Sequence, residues 1–259
     1  MGTKNSYLRI FVIILLSSVM FNGCKDTPYT PTLWEYPELT ESLETQNFIF
    51  HYSEGDQVDS IRQEAFHEWA VNLLGILPPK KIDFYKYIDR AHMVIITGKE
   101  TNGWADPANF AIHTIWSWDN HECVHCYTSL IGRPSDFFNE GIAVGMSTNP
   151  YNGDLQAKWW SESVHYWAKR YKDEGTLLSL EEILETNNFR SYNSEITYPE
   201  SGSFVSYLID RNGIDTLKSL FRQGNRMDLL DTIKQTFQNT YGFSIELAEQ
   251  EWLIFLDSY

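Results

Sequence analysis

The sequence is poor in cysteine and in positive charge. Three Cys in 259 residues are too few for a disulfide framework. Lys and Arg number 20 against 35 Asp and Glu, for a formal net charge of −15. That sign excludes a partner held by its phosphate backbone, which clustered cations must meet. No internal repeat and no low-complexity tract is found. What the chain does hold is 42% hydrophobic residues, among them nine Trp, enough for a packed core and too many for a disordered chain. The length suits one large domain or two small ones.

The N-terminus sets an address. Lys4 and Arg9 precede an apolar run from Ile10 to Met20, which ends in Phe21-Asn22-Gly23-Cys24. The run is short of the roughly 20 apolar residues that a spanning helix needs. A basic start, an apolar centre and a small residue before a cysteine resemble a bacterial lipoprotein signal. The resemblance implies removal of residues 1–23 and lipidation of Cys24. Phe21 and Asn22 depart from it, since aliphatic and small residues are usual there. Removing residues 1–23 takes away Lys4 and Arg9 and no acid, leaving 18 basic and 35 acidic residues, net −17. Anionic lipid repels such a surface, so the membrane is expected to be held through the lipid alone. The expected location is the cell envelope, on its periplasmic side or at the cell surface. Residues 24–45, with Pro28, Pro31 and Pro37, are expected to be a tether, and residues 46–259 the folded domain.

Within that domain, strands are predicted over 47–52, 81–87, 91–97 and 109–117, with one helix from Asp59 to about Gly75. After Trp118 the pattern turns helical. Helices are predicted over 120–131, 135–146, 155–171, 178–186, 200–211, 215–222, 227–240 and 244–257. The fold class is therefore α+β: a small mixed sheet with a helix, then a mostly helical half.

His121-Glu122-Cys123-Val124-His125 is an HExxH motif on the first of those helices. His residues at i and i+4 share one face, with Cβ atoms about 5–6 Å apart, so both rings can reach one ion. Neutral imidazole and an open fourth position suit zinc. Glu122 stands where it can take a proton from water and pass it to a leaving amine. Asn139-Glu140-Gly141-Ile142-Ala143 follows on the next helix, where Glu140 can add a third ligand while Gly141 and Ala143 let two helices approach closely. Tyr198, at a later helix start, can donate to the oxyanion of a tetrahedral intermediate.

HExxH, Asn-Glu-Gly-x-Ala and Tyr198-x-x-x-Gly202 together resemble the gluzincin metallopeptidases, the peptidase-MA-like group and, more distantly, the aminopeptidase N type. The resemblance spans residues 47–259 and implies a zincin-like domain. It implies zinc ligands His121, His125 and Glu140, Glu122 as general base, Tyr198 as oxyanion donor, and a peptide or protein substrate. Only 14 residues separate His125 from Glu140, fewer than in the larger aminopeptidases. The Gly-x-Met-Glu-Asn anchor for a substrate amine is absent; Asn102-Gly103-Trp104-Ala105-Asp106 holds its place. An exopeptidase is thus not implied, although an edge strand there could bind a substrate backbone. A non-catalytic surface lipoprotein, binding protein or glycan through its aromatic residues, is the alternative.

Cys123 and Cys126 form a CxxC, but a redox reading needs a thioredoxin-like βαβ setting that the neighbouring sequence does not supply. Cys123 lies about 200° around the helix from His121, away from the metal face. A disulfide between the two thiols stays open. His51, His67, His92, His113 and His165 lack ligand spacing and are expected to be ordinary core or surface residues. Trp159, Trp160 and Trp167 recur at helical spacing, which favours core packing over a cleft lining.

Overall fold

The computed structural model describes residue 36 and residues 38–259. The expected leader, Cys24 and the expected tether as far as residue 35 lie outside the described residues. The protein is α+β, with a five-stranded mixed sheet and, among the described residues, eleven α-helices. None of those helices is long and apolar enough to cross a membrane.

The sheet runs in the order β1-β2-β3-β5-β4, built from β1 (Glu41–Glu44), β2 (Phe48–Tyr52), β3 (Ile82–Lys86), β4 (Gly103–Asp106) and β5 (Ala111–Thr114). The three central strands are parallel; both edge strands, β1 and β4, are antiparallel to their neighbours. Helix α1 (Ser60–Leu74) joins β2 to β3, capped by the Asp59 carboxylate and ended by Gly75 in the left-handed conformation. Alternation sorts the strand residues between two faces. Phe48, Phe50, Ile82, Phe84 and Ile112 enter the main core with Phe66, Ala70 and Leu74 of α1. The other face carries a column of rings, one from each of four adjacent strands. His51 stacks on Tyr85, Tyr85 on His113, and His113 on Trp104, at 4.6, 4.7 and 3.9 Å between centroids. Lys99 Nζ sits 3.3 Å above the Trp104 ring.

Two expectations fail in this half. Glu41–Glu44, assigned to the tether, is strand β1. All four residues are exposed, so no apolar alternation marks the strand; backbone pairing makes it. The strand predicted over 91–97 is helix α2 (Arg90–Thr97). Asp89 caps its first turn by accepting from His92 N, and Gly98 closes it with positive φ. These end signals override the Val and Ile content, which serves to lay Met93 and Ile96 on the sheet.

The helical half begins with α3 (Asn120–Ser129) and α4 (Asp136–Gly145). Residues 155–171 are not one helix. A two-stranded hairpin, β6 (Lys158–Trp159) and β7 (Glu162–Ser163), precedes α5 (Val164–Glu174). Short helices α6 (Leu180–Ile183) and α7 (Thr186–Ser191) lead to α8 (Ser194–Asn212), followed by α9 (Ile214–Gln223), α10 (Leu230–Tyr241) and α11 (Ile245–Ser258). Helix α8 starts one turn before Tyr198, with Asn193 as its cap, and runs through Pro199. Pro199 has no N–H for the carbonyl of Glu195; the Tyr171 hydroxyl donates to that carbonyl instead, at 2.6 Å.

Helices α4 and α8 meet almost backbone to backbone. A Cβ at Gly141 would stand 2.8 Å from the Ser201 carbonyl oxygen, and one at Gly202 would stand 2.5 Å from a Val144 methyl. Gly141 thus serves the approach of α4 to α8.

Candidate metal centre

Helix α3 is fixed at its start by buried polar groups. The Asp119 carboxylate accepts from Glu122 N at 3.1 Å, and Asp119 N donates to the Gln63 amide oxygen at 2.7 Å. Gln63 also donates to Cys123 Sγ at 3.1 Å, which turns that thiol toward α1. Cys126 is buried as well, and both thiols are free. The helix therefore shows His121 and His125 to one side and its cysteines to the core.

His121 Nε2 lies 3.1 Å from Glu140 Oε2, His125 Nε2 lies 3.3 Å from the same oxygen, and the two nitrogens are 3.2 Å apart. Three lone-pair atoms thus form a nearly equilateral triangle. Ligands about 2.0–2.1 Å from one tetrahedral ion stand roughly 3.3–3.4 Å from each other. The triangle fits that edge length, and among the described residues this is the one His, Cys or carboxylate group of three that could hold a metal ion. Burial alone would raise the Glu140 carboxyl, but the two imidazoles hold it well below the usual carboxylate range. That favours the ionised carboxylate, the form that a metal would require.

Partners fix these ligands. The Asn139 amide lies 3.2 Å from His125 Nδ1, so His125 is oriented through the nitrogen it does not turn to the triangle. Arg190, on α7, spreads its guanidinium over three groups. Nε donates to Asp136 at 2.8 Å, Nη2 to Glu140 Oε1 at 2.6 Å, and Nη1 to the Tyr198 hydroxyl at 2.6 Å. Asp136 is 1% exposed and also accepts from Arg226 at 2.8 and 3.1 Å. Against the cost of burial, the two guanidiniums hold its carboxyl below the ordinary range. Because Arg190 donates to the Tyr198 oxygen, the phenolic hydrogen must point elsewhere. Its ring packs 5.9 Å from His121.

Glu122 faces the cleft beside the triangle. Burial, with Asp119 and Glu140 nearby, pushes its carboxyl up to about 8, against the pull of His121 and of the Ala105 N–H. Ala105 belongs to edge strand β4, and Gly103 lets that strand lie close. A Cβ at Gly103 would come within 3.1 Å of Glu122 Oε1 and of Asp119 Oδ2.

These groups line a cleft of about 1040 Å³ between β4 and the wall made by α7, α8 and the β6–β7 hairpin. No protein-family model matches the chain, and no curated protein matches it. The structure brings together His121, Glu122, His125, Glu140 and Tyr198, all five residues that the motifs singled out. Trp159 and Trp160, expected in the core, line the cleft instead, because the chain turns at Trp160 and does not continue as a helix. The other histidines have structural partners: His51 meets Asp83, His67 meets Tyr127, His113 meets Tyr87, and His165 meets Ser203. His92 Nδ1 accepts from Ile88 N. Sequence reasoning missed Arg190, Asp136, Asn139 and Asp119. Asp119 and Glu122 have the spacing of a helix cap, and Asp136 lies one turn before Glu140. Arg190 carries no local signal.

Proposed function

We propose that the protein is a zinc-dependent peptide hydrolase of gluzincin type, with a zincin-like domain. The single observation that supports this best is the His121–His125–Glu140 triangle with Glu122 beside it on the same cleft. Two imidazole nitrogens and a carboxylate suit zinc among the common ions. Bound there, the ion would polarise a carbonyl and make water more acidic. The rest is work for side chains. Glu122, which a cation in the triangle would hold ionised, takes a proton from the attacking water as its oxygen bonds to the scissile carbon. The same carboxyl gives that proton to the departing amine as the C–N bond breaks. Tyr198, its oxygen already accepting from Arg190, has its hydrogen available for the developing oxyanion. Strand β4 offers its edge to an extended substrate.

Attachment to the envelope through a lipid on Cys24 is part of the same proposal and rests on the leader sequence alone. The test is a metal assay with a peptide-library digest read by mass spectrometry. One zinc per chain is expected, lost in His121→Ala and kept in Glu122→Gln. Cleavage is expected in the wild type and absent in Glu122→Gln. Zinc without cleavage of any peptide would favour the non-catalytic binder.

A further inference from the structure

A line of aromatic rings leads out of the metal centre. Tyr198 lies 5.9 Å from the His121 ring, Trp159 5.5 Å from Tyr198, and Trp160 5.9 Å from Trp159. Trp160 is 65% exposed, yet its ring is held. Trp160 Nε1 donates to Glu195 Oε2 at 2.9 Å, and Trp159 Nε1 donates to the same oxygen at 3.2 Å. One carboxylate in the first turn of α8 therefore fixes two indoles.

Trp160 also has φ of 57°, in the left-handed region that large side chains avoid. The first position of the two-residue β6–β7 loop requires that positive φ but not a tryptophan, and most of the residue is in water. A large indole at that exposed position, with its N–H tethered and a flat apolar face left in solvent, is a feature of a surface built to be covered.

We propose that the Trp159–Trp160 pair is a subsite for a ring-bearing apolar side chain of the substrate peptide (Phe, Tyr, Trp or Pro), outside the two residues that flank the scissile bond. This rests on the reading of the cleft as a peptide hydrolase. The indole N–H groups are occupied, so recognition is by ring face. The wall begins at Tyr198 beside the metal ligands and lies across the cleft from β4. An extended peptide on β4 repeats its side chains on one side about every 6.7 Å. The ring-to-ring steps of 5.5–5.9 Å along the wall are comparable. Trp160 stands two steps beyond Tyr198, so the ring it receives lies beyond the residues at the cleaved bond. A pyranose offers a similar flat face, and the experiment separates the two.

The test uses a Gly/Ser/Ala peptide set around a core taken from the library digest, with one Phe or Pro moved along the chain. In the wild type, a ring at one or two outer positions is expected to raise kcat/KM about tenfold. Trp160→Ala should bring that ratio close to one, and Trp160→Tyr should keep it. A wild type indifferent to ring position, or a Trp160→Ala variant with the ratio intact, overturns the subsite. Fluorescence anisotropy of the labelled peptides on Glu122→Gln protein reads binding without cleavage. If the wild type cuts no peptide in the library, an unselected set replaces the core. Ring-dependent binding that requires Trp160 then upholds the subsite while hydrolysis fails; ring-independent binding overturns it. Tighter, Trp160-dependent binding of cellohexaose than of any peptide assigns the wall to sugars and also overturns the proposal.

Discussion

The two walls of the cleft are built on opposite principles. The sheet wall is β4, where Gly103 contributes no side chain and Ala105 a methyl, and its contact with Glu122 is a backbone N–H. The helical wall is made of long side chains wired together by charge: Arg190 between Asp136, Glu140 and Tyr198, and Glu195 between two tryptophans. The first wall owes its position to atoms that are missing. The second owes its position to atoms that are present. The sheet side should therefore fail when atoms are added, and the helical side when atoms are removed.

The largest effects are expected from removal. Tyr198→Phe should lower kcat on the order of 10²–10³-fold with metal content unchanged. Arg190→Met should do this and also weaken metal binding roughly 10–100-fold, because it frees Glu140 Oε1 as well as Tyr198. Metal titration and steady-state kinetics separate the two variants. If Arg190→Met leaves metal affinity intact, the helical wall is less tightly wired than its contacts imply. Next is the joint that sets both walls. Gly141→Ala puts a methyl against the Ser201 carbonyl and should cost on the order of 2–3 kcal/mol in urea unfolding. It should also lower activity, because Gly141 follows Glu140 and Ser201 lies three residues after Tyr198.

A pH experiment sharpens the contrast. In chelator-treated protein the Glu122 carboxyl stands at about 8, above its unfolded value near 4.3. Its effect on stability is neutral well below pH 4 and grows unfavourable as pH rises through 8. Glu122→Gln should therefore leave the melting temperature unchanged near pH 4 and raise it at pH 9. Water in the cleft screens the difference to about 2 kcal/mol, a shift of a few degrees for a chain of this size. An equal shift at both pH values would remove burial of the carboxylate as the cause. The smallest effect is expected from addition to the sheet wall. Gly103→Ala should lower kcat about tenfold by displacing Glu122, with zinc content and peptide KM little changed.

The same division governs what the sequence disclosed. His121, Glu122 and His125 were legible because helical spacing alone puts the two imidazoles on one face. Strand β2, helix α1 and strand β3 were legible from alternation and from the Asp59 and Gly75 end signals. Helix α2 was misread because Val and Ile favour strands locally, while its caps and its packing on the sheet decide otherwise. Trp159, Trp160 and Trp167 kept helical spacing across a hairpin, so the period misled. Arg190 was invisible for a different reason. Its partners Asp136 and Glu140 lie 54 and 50 residues away in the chain, and its own helix is six residues long. A charge network assembled from distant segments leaves no period to find.

The ring column on the far face of the sheet bears on all of this. An edge strand that receives a guest strand is pulled along its own axis, and the usual failure of such a strand is to slide by one residue. Here a slide would drag Trp104 out from between His113 and Lys99 and turn it toward the core. The same slide would carry the Ala105 N–H away from Glu122. Burial keeps His113 neutral, with its imidazolium form appearing only near pH 3, so the stack does not loosen by charging at ordinary pH. His51, Tyr85, His113 and Trp104 thus work as an indexing pin. None of them belongs to the His121–His125–Glu140 triangle, yet they fix which backbone N–H meets the Glu122 carboxylate.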